Sequence, residues 1–228
     1  MKLCIIGYGK MGKTIERLAP RYGFTECVII DNEEDWLRKQ DASKSSDVAI
    51  EFSTPQTVRD NLSKCFERKL PVVSGTTGWN EFREPFMNLW EKQSVSFIYG
   101  SNFSIGAHIF FKLNVWLAQQ MKWQSQYTVS IEETHHIHKK DAPSGTALII
   151  QKDIQTQYNH KQEIFIKSHR EGEVVGEHIV NYESAEDSIQ IKHDARSRDI
   201  FAHGALKAAV WLLKHPGIYD FGEIFSIL

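Results

Sequence analysis

The first twelve residues restrict the fold of this chain more than any other stretch. A short apolar run, Lys2-Leu3-Cys4-Ile5-Ile6, ends on Gly7-Tyr8-Gly9-Lys10-Met11-Gly12. An apolar run closed by glycine reads as a buried strand. Met11, Ile15 and Leu18 then mark one face of a helix from Met11 to about Tyr22. Between a strand and a helix, G-x-G-x-x-G spacing has a physical meaning. The first glycine allows a tight turn, the second lets a backbone approach a pyrophosphate, and the third lets helix and strand pack closely. The helix end offers unpaired N–H groups to phosphate. A second strand is expected over Glu26–Asp31, and Asp31 follows Gly12 by 19 residues. A carboxylate there accepts the ribose hydroxyls of NAD. The competing interpretation is a glycine-rich turn that binds nothing.

Strands and helices continue to alternate. Charged residues 32–46 lead to a third strand over Asp47–Ser53, and Pro55 opens a helix patterned by Val58, Leu62, Cys65 and Phe66. Leu70–Ser74 is a fourth strand, closed by Gly75-Thr76-Thr77-Gly78; a helix over about 80–93 and a strand over Val95–Tyr99 follow. Such alternation predicts a parallel sheet with right-handed crossovers. Loops at the carboxyl ends of its strands surround a ligand crevice, so Ser53, Gly75, Thr76 and Thr77 are candidates to line it.

The pattern changes after Asn102. A long helix is expected over Ile105–Met121, a strand over Thr128–Glu133, and a helix over 145–157. Strands are expected over 163–169, 174–183 and 187–194, then a helix over 201–213 stopped by Pro216-Gly217 and followed by an apolar tail. The alternation in Ser188–His193 indicates a strand with one face covered. Three successive strands suggest a mixed or antiparallel sheet.

The chemistry concentrates in residues 133–147, Glu-Thr-His-His-Ile-His-Lys-Lys-Asp-Ala-Pro-Ser-Gly-Thr-Ala. Ser144 is a good N-cap, which leaves the N–H groups of Gly145 and Thr146 pointing out of a helix end suited to a carboxylate or phosphate. His135, His136, His138, Lys139 and Lys140 precede it. Imidazole donates a proton near neutral pH, and an ammonium pairs with carboxylate or donates to a nascent amine. Asp141 is expected to orient one of them or to cap the turn. A zinc site is the weaker alternative, because the histidine spacing matches no common ligand set and no cysteine is close. A solvated basic loop is the bland one.

Composition excludes several classes. The net charge of −2 gives no global field for nucleic acid. No apolar run approaches the roughly 18 residues that span a bilayer, and the N-terminal apolar run is too short for a signal peptide. Cys4, Cys27 and Cys65 are odd in number without C-x-x-C spacing, which fits buried free thiols and a reducing cytoplasm.

Taken together, these segments resemble the 4-hydroxy-tetrahydrodipicolinate reductases (dihydrodipicolinate reductases) of the diaminopimelate and lysine pathway. The resemblance covers nearly the whole chain. It runs through Gly7–Gly12, Glu51-Phe52-Ser53-Thr54-Pro55, Gly75–Gly78 and Ser101-Asn102-Phe103-Ser104-Ile105-Gly106. It continues through Glu133–Ala147, Ser168-His169-Arg170-Glu171-Gly172 and Phe201-Ala202-His203-Gly204-Ala205. The stretch His135–Ala147 is its most specific part.

By position, the resemblance implies that His135 is a proton donor/acceptor and Lys139 a proton donor. His136 is a substrate contact, and Gly145 and Thr146 are the substrate carboxylate cradle. The implied cofactor contacts are Gly7, Tyr8, Gly9, Lys10, Met11, Gly12, Asp31, Ser53, Gly75, Thr76, Thr77, Gly100, Ser101, Asn102 and Phe103. No metal is implied. The implied fold is α/β: a Rossmann-like domain of residues 1–103 and 196–228, and an α+β domain of residues 104–195 whose sheet builds a homotetramer. A central segment of roughly 95 residues has difficulty burying the apolar strands after 160 alone. Domain closure on a dicarboxylate substrate is implied as well.

The chain is shorter than most such proteins, and the shortening falls in residues 32–46. Asp31 is followed by Asn32, Glu33 and Glu34, with no Lys or Arg before Arg38. A 2′-phosphate would meet negative charge there, so NADH is expected to be preferred over NADPH. Two alternatives are a dehydrogenase of an amino acid such as aspartate and a non-enzymatic NAD-binding sensor. Neither has a reason to keep His135, Lys139 and Gly145-Thr146 together.

Overall fold

The run Lys2–Ile6 is strand β1, and Leu3, Cys4, Ile5 and Ile6 are all buried on its two faces. Continuous apolar character of this kind suits a central strand of a parallel sheet covered on both sides. A computed structural model describes residues 1–79, 94–158 and 163–228 of the chain; the helix expected over 80–93 lies outside the described residues. The chain divides into two compact units, Met1–Ile105 with Asp199–Leu228, and Gly106–Arg198.

The first unit is built on a six-stranded sheet in the order β10-β5-β4-β3-β1-β2. Its other strands are β2 (Glu26–Ile30), β3 (Val48–Glu51), β4 (Val72–Ser74), β5 (Phe97–Tyr99) and β10 (Ile218–Asp220). Every pairing in it is parallel. The chain passes from β1 outward to β2 and then crosses to β3 on the other side of β1, so the order reverses between β1 and β3. Helix α1 (Lys10–Leu18) buries Ile15 and Leu18. It is shorter than the expected helix to Tyr22: Pro20 cannot donate to a continuing α-helix, and Ala19–Tyr22 tighten into a 3-10 turn.

Residues 32–46, which carried no helical expectation, form α2 (Glu33–Arg38) and α3 (Gln40–Lys44). Asn32 caps α2 by accepting from Asp35 N, and the first turn is acidic, as the helix dipole favours. Trp36 anchors the segment at 2% exposure and donates from Nε1 to Asn61 Oδ1 at 3.0 Å. Truncating so buried an indole costs about 3–5 kcal/mol. Helix α4 (Val58–Glu67) buries Val58, Leu62, Cys65 and Phe66, but it starts after Pro55 by a full turn, because Thr54 O already accepts from Thr57 N and Val58 N. The apolar tail returns as β10 beside β5 and continues into α8 (Phe221–Ile224).

The second unit has a four-stranded sheet in the order β7-β6-β8-β9, from β6 (Thr128–His135), β7 (Phe165–Arg170), β8 (Gly176–Glu183) and β9 (Ser188–Ala195). It is mixed: β6 runs parallel to β7, while the β6–β8 and β8–β9 pairs are antiparallel. One face packs against α5 (Ile105–Met121) and α6 (Gly145–Gln157) through Leu117, Ala118, Val129, Ile131, Ile150, Ile154 and Val180. Strand β6 extends two residues past the expected Glu133, so His135 belongs to a strand rather than a loop. In β9 only Ile191, His193 and Ala195 turn inward to any degree; Ile189 is 36% exposed. Helix α7 (Asp199–Leu212) rejoins the first unit and buries Ala202, Ala205, Leu206 and Leu212 there.

Candidate functional site

Each unit carries its own group of candidate residues. In the first unit the turn after β1 has Gly7 at φ 86°, a left-handed conformation that favours glycine. A Cβ on Gly12 would lie 2.2 Å from the Gly7 carbonyl oxygen, so the third glycine is what lets α1 close on the turn. Gly9 differs: it caps α1, and a Cβ there would meet nothing within 4 Å. The space beside Gly9 faces outward, which suits an approaching phosphate. Lys10 is exposed and Met11 half-buried at the start of α1.

Asp31 is exposed immediately after β2, and its Oδ1 accepts from Tyr8 N at 2.7 Å. That bond ties the second strand's carboxylate to the glycine turn. Three cations of the following segments are paired, Lys39 with Asp35, Arg38 with Glu34, and Lys64 with Glu33, while Lys13 lies over the Tyr8 ring.

The ends of β4 and β5 form a recess lined by Ser74, Thr76, Thr77, Gly78, Trp79, Tyr99, Gly100 and Ser101. It unites the sequence candidates Thr76, Thr77, Gly100 and Ser101. Gly75 lies behind them, because a Cβ there would strike the Phe52 ring at 2.1 Å. The Ser53 hydroxyl is occupied elsewhere, donating to Glu51 and accepting from Asn61 Nδ2 at 3.2 Å. Asn102 Oδ1 accepts from Ser104 N at 2.8 Å. Phe103 is 1% exposed and packs against Phe221 and Phe52, a core residue of the first unit.

In the second unit, Ser144 caps α6 by accepting from Ala147 N at 3.2 Å. Gly145 is exposed with open space where a Cβ would stand, and Thr146 is half-buried beside it. The cap is fixed from below by Glu133, whose two carboxylate oxygens both lie 3.1 Å from Ser144 N. Burial pushes the Glu133 carboxyl up, but Ser144, Ser168 and the His135 charge together outweigh it and leave it below the usual range. Arg170 Nη2 lies 3.5 Å from Glu133 and also donates to the Asp141 carbonyl oxygen, clamping the loop onto β7.

His135 ends β6 at 7% exposure, with Nδ1 at 3.5 Å from Glu133 Oε2 and no hydrogen bond on that nitrogen. Its ring meets His178 edge-on at 5.1 Å between centroids. Burial holds the His135 imidazole below its ordinary pKa, against the opposing pull of Glu133. His178 is pushed down to about 4 by burial first and by the His135 charge second, and its Nε2 lies 3.2 Å from Ser144 Oγ. Lys139 Nζ pairs with Asp141 at 2.9 Å. His136 is half-buried with its Nδ1 unpartnered, and its ring stands 6.2 Å from that of His138.

The histidines that sequence spacing grouped are therefore not the ones the fold groups. Glu133, His135 and His178 bring three potential metal-ligand atoms within 4.8 Å of one another. Glu133 is already committed to Ser144 and Arg170, so the trio reads best as a support for the His135 ring. His178 and Arg170 join the site through the pairing of β6 with β8 and β7; Arg170 lies in a segment that carries the resemblance without an assigned role, and the adjacency Gly-Glu-His at 176–178 carries no local signal.

Comparison with known proteins fits both halves. The family profile described as Dihydrodipicolinate reductase, N-terminus, matches residues 1–103, and the C-terminus profile matches residues 106–225. The 4-hydroxy-tetrahydrodipicolinate reductase of Christiangramia forsetii is 39% identical over 239 residues, covering 100% of this chain and 99% of that protein. The protein of the same name from Rickettsia bellii is 34% identical, covering 96% of this chain and 92% of its own length. Among solved structures, a dipicolinate-bound dihydrodipicolinate reductase from Paenisporosarcina sp. TG-14 shares the fold at TM-score 0.75 and 22% identity, with 100% of this chain and 99% of that one covered. Two profiles that between them span both units, and relatives matching from end to end, lead to one conclusion: the chain belongs to the dihydrodipicolinate reductase family.

Proposed function

We propose that this protein is a 4-hydroxy-tetrahydrodipicolinate reductase, reducing a cyclic imino dicarboxylate to tetrahydrodipicolinate in lysine and diaminopimelate biosynthesis. The observation that carries this is the α6 N-terminus, where an open Gly145-Thr146 edge, Lys139 and His135 gather in one short segment. Gly145 N and Thr146 N receive a substrate carboxylate, with His136 beside them. Lys139 adds charge and lowers the entropic cost of alignment. His135 and Lys139 are the proton sources for the atom next to the reduced carbon.

The first unit fits a nicotinamide dinucleotide: Gly7, Gly9 and Gly12 leave room for a pyrophosphate, Asp31 accepts ribose hydroxyls, and the Thr76–Ser101 recess takes the nicotinamide. The bound dinucleotide supplies hydride. NADH is preferred, since the Asn32-Glu33-Glu34 run after Asp31 would meet a 2′-phosphate with negative charge, and Arg38, Lys39 and Lys64 are each paired with a carboxylate.

The assembly is a homotetramer formed through the second unit. Its support is apolar surface that one copy leaves open: Phe165 at 69%, Trp116 at 57% and Ile109 at 56% exposure. The cytoplasm is its compartment, consistent with three free thiols; among the described residues no helix is long and apolar enough to cross a membrane. The test is oxidation of NADH that depends on the condensation product of aspartate semialdehyde and pyruvate.

A further inference from the structure

Glu51 ends β3 at 0% exposure, and no Lys, Arg or His among the described residues pairs with it. Its carboxylate accepts from Ser53 N at 3.0 Å, Ser74 Oγ at 2.6 Å, Thr76 Oγ1 at 2.8 Å and the Ser53 hydroxyl. Thr76 Oγ1 also accepts from Ser53 N at 2.8 Å, closing a ring of bonds. Farther out, Asn61 donates to Ser53 Oγ and Trp36 donates to Asn61. The Ser53 N–H donates to the carboxylate and the three hydroxyls are placed to do so as well, an arrangement that suits an ionised carboxylate. Burial nevertheless pushes its pKa up.

A buried carboxylate without a cation is costly, and a neutral glutamine of the same size would fill the space. Two of its donors, Ser74 and Thr76, also line the recess. The Glu51 carboxyl group therefore stands one side chain behind the recess wall. Hydride donation turns a neutral dihydropyridine ring into a pyridinium cation, while the acceptor carbon of the imino dicarboxylate gains the hydride. A fixed negative charge behind that ring favours the cationic form and eases hydride loss.

We propose that Glu51 is a positioning and charge-tuning residue of the nicotinamide recess, holding Ser53 and Thr76 in register and favouring oxidised over reduced nicotinamide. The idea rests on the recess being the nicotinamide site. The experiment is calorimetric binding of NADH, NAD+ and ADP-ribose to wild type and Glu51→Gln. ADP-ribose, which lacks the nicotinamide, is expected to bind both alike, while NAD+ weakens relative to NADH by roughly tenfold in the variant. An unchanged NAD+/NADH ratio with intact ADP-ribose binding overturns the role of Glu51. Wild type binding NADH no better than ADP-ribose instead overturns the recess as the nicotinamide site.

If Glu51→Gln does not fold, infrared spectra of wild type carrying 13C-labelled glutamate decide. The NAD+ complex is expected to show no neutral buried glutamate carboxyl, and persistence of that band contradicts the charge-tuning role.

Discussion

Glu133 Oε2 stands 3.5 Å from His135 Nδ1 while the same carboxylate holds the N–H of Ser144, the cap of α6. One buried anion thus orients both the imidazole and the helix end proposed to grip the substrate. The Nδ1 edge of the ring is the one that faces Glu133.

Glu133→Gln removes the charge that opposes the burial effect on His135. The imidazole pKa falls further, so less of it is protonated at a given pH. The descending limb of kcat/KM against pH is expected to move to lower pH, with activity at neutral pH down roughly 10–100-fold. An unshifted limb in the pH–rate profile counts against the Glu133–His135 coupling.

His135→Gln is expected to lower kcat by roughly 10²–10⁴-fold with NADH affinity unchanged, because it removes a proton source on one unit and leaves the glycine turn on the other untouched. Lys139→Ala is expected to lower kcat and raise KM together, since its ammonium both donates and binds. Steady-state kinetics and NADH fluorescence titration check both.

Gly9 and Gly12 separate ligand sterics from folding. Gly12→Ala forces a Cβ to within 2.2 Å of the Gly7 carbonyl and should unsettle the turn, lowering Tm. Gly9→Ala meets nothing in the protein, so its stability cost stays near about 1 kcal/mol, that of a weakened cap. It nevertheless intrudes on the phosphate path and should weaken NADH binding. Calorimetric unfolding and NADH titration of both variants test the pair; normal NADH affinity in Gly9→Ala contradicts a pyrophosphate at that turn.

His178 links stability to pH. Its pKa drops from 6.5 to about 4 on folding. Between those values the unfolded chain takes a proton that the folded chain does not. Its contribution is therefore fully present above the unfolded pKa and is lost as pH falls, to the extent of about 3 kcal/mol. Denaturant unfolding between pH 7 and pH 4 should show a shallower loss in His178→Gln than in wild type.

Phe165 lies on the sheet face opposite the helices, level with Ser130 across the β6–β7 pairing. Phe165→Glu is expected to reduce the assembled mass in light scattering without unfolding the protomer, since the side chain is 69% exposed in a single copy. An unchanged mass places the interface elsewhere.

Local signals made much of this legible. The glycine turn, the helix over Ile105–Met121 and the Ser144 cap each depend on neighbours within a few residues, so spacing was enough. Helices α2 and α3 were missed because charged residues 32–46 hide a single anchor, Trp36. Phe103 is expected from its motif to contact the cofactor; its ring packs in the core against Phe221, a placement the motif does not encode. His178 and Arg170 reach Glu133 only through strand register, which local periodicity does not encode. Glu51 belongs to a sequence motif, but that no Lys, Arg or His among the described residues pairs with it emerges only once β3 and β4 are paired.

The most direct measurement is absorbance of the reduced nucleotide on adding the purified protein to freshly condensed aspartate semialdehyde and pyruvate. Rapid loss of NADH that requires the condensed substrate, with a slower rate from NADPH, is the predicted result. A protein that binds NADH yet leaves it unoxidised in the presence of that substrate contradicts the account.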